Sequence, residues 1–389
     1  MDTGLPSPSA RPWLRFDRHE LAGAFGDIGT DLPLLIALIA TTGLDAASVC
    51  ILFGAMQIAT GLLYGIPMPV QPLKAMATIM LAEKLAPGVL AGGGLVIGAS
   101  MLLLAATGLL DVIARRVPKE VVRGLQLGLG VTLALLALRK YMPADGAPGW
   151  ILAAVSAALL LALRRQRVVP GPLVVMGLGV GYALLWKLDL ADLGDAFGLR
   201  LPSFRAPSSQ ELWDGALLLA LPQIPLSLGN SVIATSQTSR DLFPDRAVSV
   251  KKIGITYGLM NLVAPWFGGV PVCHGCGGLV GFHGFGARTG GAPVMYGALY
   301  VVLGLLCAPG FGEVIRVFPM PLLGVVLLFE AVALGRLVRD VSKDRRALFV
   351  ALLVAATVVF APYGYVTGLV GGTVLAWILA PKAARKDRV

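Results

Sequence analysis

Fourteen apolar stretches follow one another along this chain, and they constrain its fold more than any other feature. They fall near residues 21–41, 46–66, 70–86, 88–110, 120–138, 149–163, 169–187, 212–236, 250–268, 272–286, 290–307, 312–334, 346–361 and 364–380. Hydrophobic residues make up 56% of the chain and charged residues 14%, whereas a soluble domain carries roughly 25% charged residues. Because one aqueous core cannot bury so much apolar sequence, we expect an all-α protein whose helices span a lipid bilayer.

The basic residues predict how the chain is oriented. A net charge of +10 could also suit a nucleic-acid-binding protein, but most of the basic residues lie in loops that share one side of the membrane. The exceptions are Lys84, Arg139, Lys140, Lys187, Arg200 and Arg205 on the other side, and Lys74 and Arg316 at or within the membrane. Basic loops mark the cytoplasmic face. We therefore expect a multi-pass protein of the cell inner (plasma) membrane with both termini cytoplasmic, and no nucleic-acid partner.

The stretches divide into two halves of similar length. An external linker, 188–211, separates a first repeat, 20–187, from a second repeat, 212–380, and cytoplasmic tails occupy 1–19 and 381–389. Each half holds seven stretches. Because seven is odd, the second half must enter the membrane in the opposite sense to the first. Two inverted repeats of seven are typical of secondary transporters.

The third stretch of each half begins with residues that break helices. Residues 65–74 read GIPMPVQPLK, and residues 268–278 read GGVPVCHGCGG. Proline removes a backbone donor and restricts the residue before it, and glycine favours irregular backbone. We expect each segment to run extended to the middle of the membrane and then to begin a half-helix. Two half-helix N-termini that meet there would form an anion site.

Ionisable residues lie close to these breaks. Lys74 stands in the first turn of the first half-helix, and a lysine within a membrane is a functional candidate. It could instead pair with Asp27 or Asp31 and only fix helix packing. Those two acids lie four residues apart on one helical face. Asp27 could carry a proton, bind a cation or pair with Lys74, and Asp31 is a second candidate for proton or ion coupling.

The eighth stretch carries uncharged polar residues on one helical face. They are Gln223, Ser227 and Asn230, with Ser231 beside them. Gln223 and Ser227 could donate hydrogen bonds to a substrate oxygen. Polar side chains of this kind also join transmembrane helices by hydrogen bonding, and this alternative stays open for the serines and the asparagine.

His274 between Cys273 and Cys276 superficially suggests a metal or redox site. The chain holds this single C-x-x-C and no second pair, so we expect the cysteines to pack at the crossing of helices, with His274 as a hydrogen-bond donor or proton acceptor. We expect no bound metal and no cofactor. Motifs for ATP binding or hydrolysis are also missing from the sequence, which argues against an enzyme.

Several segments together resemble the molybdate transporter family, which is related to the sulfate permease (SulP) superfamily. They are residues 25–30 (FGDIGT), 69–74 (PVQPLK), 222–226 (PQIPL) with 230–231 (NS), 269–278 (GVPVCHGCGG) and 285–290 (FGARTG). The resemblance implies a seven-plus-seven inverted repeat with a core domain that holds the site and a gate domain beside it. Its first, third, eighth and tenth helices would supply the site. Typical sulfate permeases continue into a STAS domain, which the nine residues after the last stretch do not provide.

These segments supply the predicted site. The predicted substrate-binding residues are Thr30, Gln71, Lys74, Gln223, Ser227, Asn230, His274, Gly275, Cys276 and Gly277. The residues predicted for proton or ion coupling are Asp27, Asp31 and His274.

The leading hypothesis is a secondary active transporter that takes up a tetrahedral oxyanion, molybdate first and sulfate second, by alternating access with a proton as co-substrate. The sequence leaves tungstate, selenate, the coupling ion and a homodimer open. A nucleobase permease of the same architecture is the alternative, although its site would need a carboxylate where the breaks carry Lys74. A membrane redox or metal protein using Cys273, His274 and Cys276 is a further alternative.

Overall fold

The protein is a bundle of helices in which two of the spanning segments are interrupted. The computed structural model describes residues 12–163, 171–187, 197–306 and 308–379. Most of the two predicted tails and part of the predicted linker therefore lie outside the described residues.

The first half contains nine α-helices among the described residues. They are α1 (Arg18–Ala24), α2 (Ile28–Thr42), α3 (Ala46–Tyr64), α4 (Lys74–Glu83), α5 (Pro87–Thr107), α6 (Leu109–Arg116), α7 (Lys119–Leu136), α8 (Gly146–Leu163) and α9 (Gly171–Tyr182). Wider π-helical turns, Ala137–Tyr141 and Ala183–Lys187, continue α7 and α9. The strand β1 (Gln71–Pro72) precedes α4.

The second half contains ten α-helices in the described part of the chain. They are α10 (Ser209–Asp214), α11 (Leu221–Leu226), α12 (Ala234–Leu242), α13 (Val250–Val263), α14 (Cys276–Gly284), α15 (Gly291–Leu306), α16 (Ala308–Val317), α17 (Met320–Arg336), α18 (Arg345–Phe360) and α19 (Gly364–Leu379). π-Helical turns, Gly215–Ala220 and Ser227–Ile233, join α10, α11 and α12 into one long helix. Short 3-10 turns are Pro244–Arg246, Ala264–Phe267 and Leu337–Val341, and the strand β2 (Val272–Cys273) precedes α14.

Helices occupy all fourteen apolar stretches, but they differ in length. By length and composition, six in the described residues could cross a membrane: Ala46–Tyr64, Pro87–Thr107, Lys119–Tyr141, Gly146–Leu163, Ser209–Leu242 and Met320–Val341. A pair bent by 97°, Gly291–Leu306 with Ala308–Ile315, raises the number to seven. The expectation of a mostly helical membrane protein is confirmed, and the count of fourteen crossings stays a prediction.

The two predicted breaks are present, and they pair with each other. Gly65 ends α3 with a φ of 62°, and Gly268 ends the turn after α13 with a φ of 76°. Glycine adopts this left-handed backbone without steric cost. Beyond each glycine the chain is extended, and β1 pairs antiparallel with β2 so that Gln71 faces Cys273. The two segments therefore run in opposite directions where they cross.

Two groups of helices pack around this crossing. In the first group, α3 packs most extensively on α15 and α13 on α5. Glycine allows the close approach, since a Cβ added to Gly54 of α3 would lie 2.4 Å from the carbonyl oxygen of Gly297 in α15. In the second group, α7 packs on α17, α18 and α19. The half-helix α4 packs on α2, α7 and α11, and α14 packs on α12 and α1. The cavity described below lies between α4 and α7.

The segment before α1 and the first turn of α1 form hydrogen bonds to α3 and to the segment before α15. The indole of Trp13 donates to the carbonyl of Leu62 over 2.6 Å. Asp17 caps α1, and its carboxylate accepts a hydrogen bond from the backbone N–H of Glu20. This hydrogen bond holds the pKa of Asp17 below its ordinary value. The fully buried carboxylate of Glu20 accepts from the backbone N–H groups of Arg288 and Thr289 over 3.0 and 3.3 Å.

Candidate functional site

Two buried amide side chains hold the crossing segments in their extended form. Gln57 of α3 donates to the carbonyl of Val70 over 2.9 Å and accepts from its N–H over 3.3 Å. Asn261 of α13 does the same for Val272, over 2.7 and 2.8 Å. Each segment lacks a regular helical ladder at this point, so a side chain from the preceding helix satisfies its backbone groups. The crossing is thus a fixed structure rather than a loose loop.

His274 links the two crossing segments at the centre of the bundle. It is fully buried, its Nδ1 lies 2.9 Å from the carbonyl oxygen of Pro69, and its Nε2 lies 2.8 Å from the Thr256 hydroxyl. A carbonyl only accepts, so Nδ1 must carry the proton, and a neutral ring then accepts at Nε2. The Thr256 hydroxyl in turn meets the Tyr64 hydroxyl at 2.5 Å. Both ring nitrogens of His274 are therefore engaged within the protein.

Gln223 caps the first half-helix. Its side-chain oxygen accepts from the backbone N–H groups of Ala75 and Met76 over 3.0 and 3.3 Å. Its side-chain nitrogen donates to Ser227 over 3.1 Å, and the Ser227 hydroxyl lies 2.8 Å from that of Tyr257. Proline at 222 and 225 and the following π-helical turn shape this stretch of helix, and such turns are frequent at functional sites. The free donors of α4 are thus partly taken up by an internal acceptor.

The second half-helix begins without a side-chain cap. Its N-cap residue is Gly275, which has no side chain to cap the first turn. A Cβ at Gly275 would lie 1.7 Å from the side-chain oxygen of Gln71, whereas a Cβ at Gly277 would meet nothing within 4 Å. The Cys276 thiol lies 3.2 Å from the side-chain oxygen of Asn230. The first turn of α14 is therefore the more open of the two N-termini.

Asp27 connects the start of α2 to both crossing segments. The side-chain nitrogen of Gln71 donates to both of its carboxylate oxygens, over 2.7 and 2.6 Å. A Cβ at Gly278 would lie 2.3 Å from the same carboxylate, so Asp27 also lies against the first turn of α14. The neighbouring acid, Asp31, is fully buried. The side chain of Thr30 lies outside the described residues.

Charged groups surround the cysteines of the crossing. Cys273 experiences the charges of Lys74, Asp31 and Asp27. Cys276 experiences the positive charges of Lys74 and Arg123, and its sulfur lies close to the backbone N–H groups of Gly277 and of its own residue. The positive charges of Lys74 and Arg123 therefore act at the first residue of α14.

A small cavity of about 30 Å³ opens beside the crossing. It is lined by Gln71, Lys74, Gln126, Leu129, Gln223, Leu226, Asn230, Ser231, Cys273 and Leu334. Four of the predicted substrate-binding residues are among them, namely Gln71, Lys74, Gln223 and Asn230. The structure adds Gln126, which the sequence analysis missed. Its signal in the sequence is a lone amide within an otherwise apolar part of α7.

The metal alternative finds no donor set in the part of the chain that the structure describes. No group of three or more histidine, cysteine, aspartate or glutamate side chains there is placed to hold a metal ion. Cys273 and Cys276 carry free thiols.

Solved structures of similar shape show the class of fold. Against murine solute carrier 26 family member A9, an anion transporter in the inward-facing state, the TM-score is 0.70 at 13% identity, covering 95% of this chain and 69% of that one. A structure of SLC26A9 gives a TM-score of 0.68 at 12% identity, and the match covers 92% of this chain and 65% of that chain. The transmembrane domain of the cyanobacterial bicarbonate transporter BicA gives a TM-score of 0.60 at 17% identity, and the match covers 92% of this chain and 97% of that domain. The fold is that of these transporters.

Sequence relatives and a family match then identify the family. Molybdate transporter 2 of Arabidopsis thaliana is 35% identical over 90% of this chain and 86% of its own length. Molybdate transporter 1 of the same plant is 32% identical over 83% and 80%, and that of Chlamydomonas reinhardtii 29% over 97% and 95%. Residues 19–133 and 215–334 match the family described as molybdate transporter of MFS superfamily. The chain belongs to the molybdate transporter family, which confirms the resemblance and a transporter rather than an enzyme.

Proposed function

We propose that this protein is a secondary transporter that takes up a tetrahedral oxyanion, molybdate first, by alternating access. The observation that carries the proposal is the meeting of two half-helix N-termini at the β1–β2 crossing, with Lys74 in the first turn of α4. Helix N-termini carry partial positive charge and free N–H groups, and so they attract anions. The names of the relatives support molybdate as the anion.

The anion would lie in the cavity lined by Lys74 of α4 and by Cys273, which precedes α14. Gln223 already accepts from two backbone N–H groups of α4, whereas Gly275 at the N-cap of α14 has no side chain that could do the same. Lys74 and Arg123 lie close enough for their positive charges to act at Cys276, the first residue of α14. The same groups would stabilise the oxygens of a dianion, for which binding in a medium of low dielectric constant is otherwise costly.

The architecture we propose is two inverted repeats of seven spans with a core group and a gate group. The matched amide side chains support it, because Gln57 binds Val70 and Asn261 binds Val272 at corresponding positions of the two segments. The reciprocal packing of α3 on α15 and of α13 on α5 supports it as well. We place the protein in the cell inner (plasma) membrane with both termini cytoplasmic.

Proton coupling would centre on Asp27. Its carboxylate is buried beside α14, so an ionised Asp27 would repel a dianion bound there. Protonation would remove that repulsion, which would couple the uptake of the anion to that of a proton. His274 is the weaker candidate because both of its ring nitrogens are engaged.

The test is uptake of labelled molybdate into proteoliposomes at two pH values, with sulfate, tungstate, selenate and uracil as competitors. We expect saturable uptake, competition by the oxyanions but not by uracil, and faster uptake when the outside is the more acidic. Lys74→Ala should lower kcat/KM by about tenfold or more, since a charge-assisted contact contributes about 1.5–3 kcal/mol. Lys251→Ala, at an exposed lysine, is the matched control.

The results can also contradict the proposal in parts. Wild-type vesicles that take up no oxyanion would refute the function. Full activity of Lys74→Ala would refute the site, and uptake that ignores the pH gradient would refute only the coupling.

A further inference from the structure

A polar side chain of the second helix group, Gln126, lies on the wall of the cavity opposite the crossing. It is 2% exposed and lines the cavity together with Leu129 of the same helix, α7. Gly124 and Gly128, two residues to either side, press α7 against α18, since a Cβ at either would lie 2.6 Å from a valine side chain. Gln126 is therefore a fixed polar group that belongs to the second group of helices.

Arg123 determines which end of the Gln126 amide can face the cavity. Its guanidinium donates to the side-chain oxygen of Gln126 over 2.8 Å. An amide has an acceptor oxygen at one end and a donor NH₂ group at the other. With the oxygen held by Arg123, the NH₂ group remains for the cavity. The cavity wall thus presents a donor.

Asp340 in turn holds Arg123. Their side chains form a short charge-assisted hydrogen bond, and Lys119 lies 3.5 Å from the same carboxylate oxygen. Asp340 follows α17 in the turn Leu337–Val341, so the whole chain of contacts lies within the second group. The Nε of Arg123 is buried and makes no hydrogen bond among the described residues.

We propose that Gln126 contacts the substrate and selects oxyanions that carry no proton, and that Arg123 is its positioning residue. The inference rests on the proposed function. A fully deprotonated tetrahedral anion can accept a hydrogen bond at each oxygen. A protonated one, such as hydrogen phosphate, brings an O–H that needs an acceptor, and the fixed NH₂ group of Gln126 offers none. A buried polar group left without its complement disfavours the wrong ligand strongly.

The experiment compares two numbers in proteoliposomes: the KM for labelled molybdate, and the inhibition constant of phosphate divided by that KM. Gln126→Leu removes the donor, so we expect the KM to rise about tenfold or more, with a smaller change in kcat. Arg123→Met leaves the amide free to turn its oxygen to the cavity, so the phosphate ratio should fall about tenfold. Arg123→Met should add nothing in the Gln126→Leu background, because it acts through that amide.

Controls separate this role from a structural one. Gln210→Leu removes an exposed amide that bonds to Asp214 one turn on. This variant should change neither the KM nor the phosphate ratio. If Gln126→Leu is not monodisperse in detergent, Gln126→Met replaces it, since it keeps the length of the side chain and removes the amide.

Four outcomes would overturn the inference. An unchanged KM in the Gln126 variants would exclude the contact, and an unchanged phosphate ratio in Arg123→Met would exclude its positioning role. If the effects of Arg123→Met and Gln126→Leu add in the double variant, Arg123 acts independently of Gln126. If wild-type vesicles transport no oxyanion at all, the proposed function fails, and this inference fails with it.

Discussion

At the scale of single residues, the site depends on atoms that a sequence pattern does not distinguish. Gln71 and Gln223 were both expected near a substrate oxygen. In the structure, Gln71 binds Asp27, and Gln223 binds the backbone of α4 and Ser227. Both residues line the cavity, but their amides already have partners within the protein. Their contribution to substrate binding stays a prediction. To bind a substrate with the same atoms, each amide would first have to break these hydrogen bonds.

Gly275 gives a sharp prediction at this scale. Gly275→Ala would place a Cβ 1.7 Å from the side-chain oxygen of Gln71, so either Gln71 or the start of α14 must move. We expect uptake to fall at least about tenfold, because a displacement of about 1 Å at a binding site can cost two orders of magnitude. Gly284→Ala, in the last turn of the same helix where nothing lies within 4 Å, is the control. Equal uptake by the two variants would show that this close contact is not needed.

At the scale of elements, each interrupted span needs a partner from outside its own segment. The prolines and glycines predict the interruption correctly, because their effect on the backbone is local. They do not indicate which side chain pairs with the exposed backbone groups. Gln57 and Asn261 do this, from positions 13 and 11 residues earlier in the chain.

The two amides can be tested together. Gln57→Leu or Asn261→Leu would leave a buried N–H and carbonyl of Val70 or Val272 without partners, at a cost of about 1–3 kcal/mol for each group. We expect both variants to unfold at lower temperature in detergent, by similar amounts. Gln237→Leu, at an exposed amide that bonds to Asp241 one turn on, should leave the unfolding temperature unchanged. A lower unfolding temperature in only one of the two variants would argue against the correspondence of the two segments.

The family segment 285–290 also has its explanation at this scale. It was part of the resemblance, yet it lies away from the cavity. Its backbone at Arg288 and Thr289 binds the buried carboxylate of Glu20, and the Thr289 hydroxyl accepts from the backbone N–H of Arg15 over 3.0 Å. The segment therefore fastens the chain before α1 to the start of α15.

At the scale of the whole molecule, the distribution of charge predicts the orientation in the membrane. Lys140 is exposed after α7, and Lys251 is exposed at the start of α13. In a background without native cysteines, we expect Lys140→Cys to react with a membrane-impermeant maleimide in intact cells. Lys251→Cys should react only after permeabilisation. The reverse pattern would invert the topology, and reaction of both in intact cells would contradict the predicted number of crossings between them.

The sequence by itself determined the class of this protein, because hydropathy, basic loops and helix-breaking residues act locally and can be identified along the chain. It also determined that two spans are interrupted and that a lysine lies at one of them. Only the tertiary structure decided which polar atoms remain available at that site. Hydrogen-bond partners such as Gln223 with Ala75, or Arg123 with Gln126 and Asp340, depend on how distant helices pack. Since a buried donor or acceptor is satisfied by whichever group lies nearest, this pairing is fixed in three dimensions.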